Sequence, residues 1–156
     1  MTYRIEPLPL EPFQPLFALD DAELEAIGAR RMIASTPNSA PCRVSLADAE
    51  PGEALILVNH VHLDAPGSPY RGGGPVFVRE IATEAAPIAD AVPEVLSRRL
   101  LSVRTYDAHG LMLDADVVEG ANLAARLIDW FDDPRTHEVH IHTARRGCYL
   151  ARAVRN

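Results

Sequence analysis

The chain has 156 residues, 47% hydrophobic and 24% charged, with a formal net charge of −7. That length suits one domain with a sizeable core. The acidic balance argues against a nucleic-acid partner, which needs a basic face, and no apolar run reaches the length of a membrane span.

All fifteen basic residues are Arg, with no Lys anywhere. An internal Schiff base is therefore impossible, so a pyridoxal-phosphate enzyme is excluded, and a P-loop lacks its Lys. The dinucleotide fingerprint GxGxxG is also missing. Arg still grips carboxylates and phosphates bidentately, so anion recognition stays open. Cys42 and Cys148 lie far apart with no CxxC, which fits neither a disulfide framework nor a zinc-finger spacing. The first residues contain no continuous apolar stretch of leader type, and a cytoplasmic protein is expected.

Residues 1–18 carry Pro7, Pro9, Pro12 and Pro15 and read as an extended arm or edge strand ahead of a globular body over 19–156. Asp20 with Glu23 three residues on forms a capping box, and Leu19 and Leu24 a hydrophobic staple, so a helix is expected from Asp21 to about Ala29. Arg30 and Arg31 then fall near its C-terminal end. Met32–Ala34 reads as a short strand, residues 54–61 as a buried strand, Gly67–Gly74 as a loop and 75–81 as the next strand. Pro93 suits the first turn of a short helix ending near Arg98.

The second half reads as two hairpins joined by a helix. A three-residue loop Ala108-His109-Gly110 sets Arg104 against Asp114 and Ser102 against Asp116, with Leu101, Val103 and Thr105 opposite Val117, Ala115 and Leu113. The helix spans Gly120–Asp133, with Leu123, Leu127, Trp130 and Phe131 on one stripe and Pro134 ending it. A second three-residue loop, Arg145-Arg146-Gly147, pairs Ala144 with Cys148, opposes His140 to Arg152 and leaves His142 diagonal to the thiol. The expected class is a single α+β domain with a mixed, mostly antiparallel sheet and an additional N-terminal helix.

Three constellations can carry chemistry. His60-Val61-His62 and His140-Ile141-His142 are H-x-H pairs on strands, and period two puts both members of a pair on one face. Two such pairs on neighbouring strands can supply imidazoles to Zn, Fe or Cu. No Glu follows either pair at close range, however. The simpler reading has His140 and His142 on a less buried face opposite Val139 and Ile141.

Cys148 beside His142 is a candidate nucleophile, with an inert thiol as the simpler reading. The stretch SPYRGGGP supplies glycines that allow backbone N–H groups to approach an anion, with Arg71 as anchor and Tyr70 as wall. Asn59 and His60 at the preceding strand end, Arg43, and Gly72 and Gly73 complete the expected pocket.

PCRVSLADAEPGEALILVNH, SPYRGGGPVFVRE, LLSVRTYDAHGLMLDADVVEG and HIHTARRGCYLARAV, in that order, resemble the bacterial domain-of-unknown-function family 1203 from about Arg31 to the C-terminus. The resemblance implies a small free-standing bacterial protein and carries no activity, cofactor or site residue.

Three readings stand. The first is a protein that binds a small anion near Asn59–Gly74, with His60 as the proton-transfer group if chemistry occurs. The second is a metal-binding protein or metalloenzyme using His60, His62, His140 and His142. The third is a non-catalytic oligomer or partner-binding protein. The residues do not decide between enzyme and binder.

Overall fold

The computed structural model describes residues 2–156. Its class is α+β, with two mostly antiparallel sheets. The larger sheet contains β1 (Tyr3–Glu6), β7 (Ile88–Ala89), β8 (Leu100–Tyr106), β9 (Met112–Glu119), β10 (Glu138–Thr143) and β11 (Tyr149–Arg155), in the order β7-β1-β11-β10-β8-β9. The smaller contains β2 (Arg30–Ile33), β3 (Pro41–Cys42), β4 (Ala47–Asp48), β5 (Ala54–Leu63) and β6 (Gly72–Arg79), in the order β2-β5-β6-β3-β4. The helices are α1 (Asp21–Ala26), α2 (Glu94–Ser97) and α3 (Leu123–Phe131). Among the described residues no helix is long and apolar enough to cross a membrane.

The apolar stripe of α3 explains the layering. Leu123, Leu127, Trp130 and Phe131 pack on Leu101, Val103, Val139, Ile141, Ala151 and Ala153, covering one face of the larger sheet. The opposite face meets the smaller sheet, where Val76 and Val78 of β6 join Cys42, Val44 and Tyr149 in a second cluster. Side chains alternate along β10, so His140 and His142 point into the seam between the sheets. They are 0% and 1% exposed, which overturns the expectation of a less buried face.

The capping box forms as expected: Asp20 accepts from the Glu23 N–H and Glu23 accepts from the Asp20 N–H. The helix nevertheless ends early, because the chain turns at Gly28 with φ +75°. Arg30 and Arg31 consequently belong to β2. Arg31 pairs with Glu80 and Asp21 instead of capping the helix.

Residues 3–6, expected as an arm or edge, form a strand bonded to β11 on one side and to β7 on the other. Tyr3 and Ile5 are buried in the main core. Leu8 and Phe13 join the cluster at the seam.

Both hairpins deviate from the expected register through bulges. The first turn does use Ala108-His109-Gly110, with Gly110 at φ +73° and its N–H donating to Asp107. A bulge between Thr105 and Tyr106 then shifts the ladder by one, so Arg104 pairs with Ala115 and Thr105 with Asp114. The second turn has four residues, closed by the Gly147 N–H on the Thr143 carbonyl. A bulge past His142 restores the expected pairing of His140 with Arg152. That bulge brings Tyr149 opposite His142 and leaves Leu150 with the helix-side core.

Candidate metal centre

Three imidazoles converge at the seam. His140 and His142 come from β10 in the interior of the larger sheet, and His62 comes from the end of β5 in the smaller one. One ring nitrogen from each lies within 4.8 Å of the other two. His62 Nδ1 and His140 Nδ1 are 3.3 Å apart and within hydrogen-bond reach of one another, a separation that also matches the roughly 3.3 Å between tetrahedral ligands at zinc–nitrogen distance. Tyr149 stacks on His62 with ring centroids 5.1 Å apart and planes within 4°. The Tyr106 ring meets His140 edge-on at 5.0 Å.

The outward-facing nitrogens of the two β10 histidines are held by acceptors. His140 Nε2 lies 3.1 Å from Glu138 Oε1, and His142 Nδ1 lies 3.0 Å from the Gly147 carbonyl. A carbonyl only accepts, so His142 carries its proton on Nδ1 and presents a lone pair at Nε2. That Nε2 is buried and has no hydrogen-bond partner. Glu138 likewise holds the proton of His140 on Nε2 and frees Nδ1. Metal-ligating histidines are typically oriented in this way.

Burial keeps His62 and His142 neutral. Burial pulls His62 down to about 4, with His140 and Arg104 adding to the effect. Burial pulls His142 down to about 3, against the opposing Gly147 hydrogen bond. For Glu138, burial raises the carboxyl, but the His140 hydrogen bond and the neighbouring His140 and Arg152 outweigh it and the net shift is downward. Glu138 is therefore ionised and fit to anchor an imidazole N–H.

Of the three histidines, His62 is reached from solvent. A cleft of about 730 Å³ runs between the Leu63–Ser68 loop and the Asp107–Leu111 turn, with His62, Glu138 and Arg152 among its lining residues. Ser68 Oγ donates to the Gly110 carbonyl at 2.7 Å and ties the two walls together. A side chain at Gly110 would meet Ala65 Cβ at 2.5 Å, so this turn needs glycine for both space and φ.

The other expected site residues are dispersed. His60 does not join the three; its ring lies 5.7 Å from Phe13. Asn59 is exposed and, one residue along the strand, takes the opposite face, so the two do not share a hollow. Gly72 and Gly73, expected in a loop, are in β6 opposite Leu63 and Val61. A Cβ on Gly73 would lie 2.5 Å from the His60 carbonyl oxygen, so the glycine permits close strand approach. Arg71 pairs with Asp64 at 2.7 Å in an exposed position, and Tyr70 lies against Tyr106 with centroids 6.2 Å apart.

Arg43 is 3% exposed and donates to the carbonyls of Tyr149 and Pro41. Burial lowers it to about 10, and it ties the sheets together behind Tyr149. Cys148 pairs with Thr143 near the turn, with Sγ 3.9 Å from the Arg146 carbonyl, outside the histidine group. Cys42 is buried and accepts from the N–H groups of Ser45 and Arg79.

Glu138 was legible in principle. It precedes His140 by two residues, so Glu138-x-His140-x-His142 places all three on one face, with the acid before the pair and not after it. Tyr149 had no such signal, because a bulge decides its direction.

The model of the family described as protein of unknown function DUF1203 matches residues 39–155. The chain belongs to this family. The match includes His62, Glu138, His140 and His142. No curated protein and no solved structure matches the chain.

Proposed function

We propose that this DUF1203 protein is a mononuclear metalloprotein in which His62, His140 and His142 bind one divalent transition-metal ion. The buried, unpartnered Nε2 of His142 carries this reading, because an orphaned lone pair inside a core is costly unless something accepts it. Neutral imidazoles suit Zn, Fe, Ni or Cu, and three protein ligands leave a position for water or substrate, the pattern of catalytic rather than closed structural sites. A bound ion would lower the pKa of a coordinated water and polarise an oxygen of a substrate in the cleft. The chain's own part is to hold three lone pairs at a common point, with Glu138 and the Gly147 carbonyl fixing ring orientation and Tyr149 walling the site.

The test is metal analysis of the purified protein, followed by thermal melts of chelator-stripped protein with Zn, Co, Fe, Ni and Cu. A metal at a hundred times its dissociation constant should stabilise by ~2.7 kcal/mol. His142→Ala, folded by circular dichroism, should abolish that shift. A stripped protein that responds to none of the five ions overturns the reading.

The anion pocket expected around Asn59–Gly74 is supported less well by the geometry, since Arg71 is satisfied by Asp64 and the glycines lie in a strand. Anion recognition is better placed on the metal face of the larger sheet.

A further inference from the structure

Arg104, His140 and Arg152 form one row across β8, β10 and β11, because His140 pairs with both arginines. Residues paired across antiparallel strands share a face, so both guanidinium groups start beside the histidines. Their partners differ. Arg152 is shared between Glu6 and Glu138. Arg104 forms no ion pair with a carboxylate among the described residues, although its charge acts on His62, His142 and the Tyr106 hydroxyl. The other arginines without an acid or carbonyl partner, Arg145 and Arg146, sit in an exposed turn. Arg104 is half-buried.

On the reading of the histidines as metal ligands, the charge balance of this face is incomplete. Three neutral imidazoles leave the charge of a divalent ion intact, and the nearby carboxylates Glu6 and Glu138 are already engaged by Arg152. A metal ion and an uncompensated guanidinium would face the same small space. We propose that a small carboxylate fills it, with one oxygen on the open metal position and the other on the Arg104 guanidinium; the proposal rests on the metal reading of the same site.

A planar guanidinium matches a carboxylate bidentately or through one oxygen. Asp64 and Asp107 on the cleft wall, together with the net charge of −7, disfavour a multiply charged phosphate ester. The cleft that His62 lines, which Arg104 does not, is large enough for the body of a metabolite-sized molecule whose carboxylate extends inward past His62.

The experiment uses the Co(II)-loaded full chain, whose visible spectrum reports the inner coordination sphere. Loading is read first, without added anion; a wild-type protein that takes up no cobalt overturns the metal reading and this proposal together. Acetate and propionate are then titrated, with inorganic phosphate as the comparison. The wild-type spectrum is expected to change with acetate. Arg104→Gln should load cobalt to the same stoichiometry but bind acetate about 10- to 100-fold more weakly, the change that loss of one charge-assisted hydrogen bond implies.

Arg104→Lys, which keeps the charge and loses the fork, should fall between and keeps the test decisive if the Gln variant folds poorly. Equal acetate affinity in wild type and the Arg104 variants overturns the arginine's role. A response to phosphate with none to acetate overturns the carboxylate assignment.

Discussion

The two H-x-H pairs are alike in sequence but have different surroundings. His140 and His142 sit on an interior strand, with β8 and β11 on either side and a sheet stacked over them. Both are fully buried, and each has one nitrogen anchored and the other aimed into the seam. His60 and His62 lie toward the end of β5, where a bulge opens between Val61 and Leu63. His62 enters the cluster, while His60 lies against Phe13. An alternating pair thus specifies a shared face, but the packing above that face decides whether it becomes a site.

The largest expected contrast comes from removing one histidine of each pair. His140→Ala should weaken Zn or Co affinity by more than the roughly 100-fold that marks the upper range for loss of a residue that only orients a metal ligand. His60→Ala should leave affinity nearly unchanged. Calorimetric titration of chelator-stripped protein reads both, and equal losses would erase the distinction.

Next in size is Glu138→Gln, which keeps the shape but loses the charge that fixes His140. A loss of about 10- to 100-fold in metal affinity with an unchanged fold is expected. Unchanged affinity would mean that Glu138 serves only Arg152.

Gly73→Ala tests the weaker pair through its strand. A Cβ there meets the His60 carbonyl and the Val61 backbone, so a stability loss of about 1–3 kcal/mol is expected in denaturant melts. Gly74→Ala, where the same atom would meet nothing within 4 Å, should cost clearly less. Similar costs would show that β5 and β6 are less tightly apposed than the structure has them.

The last contrast is a pH dependence of the metal-free protein. The folded-state pKa values of His62 and His142 lie below that of a free imidazole, so protons favour the unfolded chain. This stability contribution is present above about pH 6.5 and is lost as pH falls through about 4 for His62 and about 3 for His142. Metal-free His62→Asn should flatten that slope, and an unaltered slope would place the acid sensitivity elsewhere.

Much of the fold was legible because it rests on local chemistry. The Asp20 capping box, the α3 stripe and the Gly110 turn follow from residues within a few positions of one another. Failures arose where one residue displaced the register or one glycine had a second use. The bulge at Thr105–Tyr106 moved Arg104 from Asp114 to Ala115, and leaving Arg104 without an acid is central to the carboxylate proposal. The glycines after Arg71 suggested an anion cradle because glycine permits both tight loops and close strands, and only the pairing with β5 distinguishes them.

The sequence by itself determined the class, the absence of Lys chemistry, the main helical stripe and the presence of two same-face histidine pairs. These depend on composition and on periods of 2 and 3.6 residues. The tertiary structure alone decided that His62 crosses the seam to His140 and His142, that His60 does not, and that Tyr149 walls the site. Those outcomes depend on which strands become neighbours and on bulges that rotate side chains between faces. Contacts between residues 78 positions apart, such as His62 and His140, arise from sheet packing and leave no periodic trace along the chain.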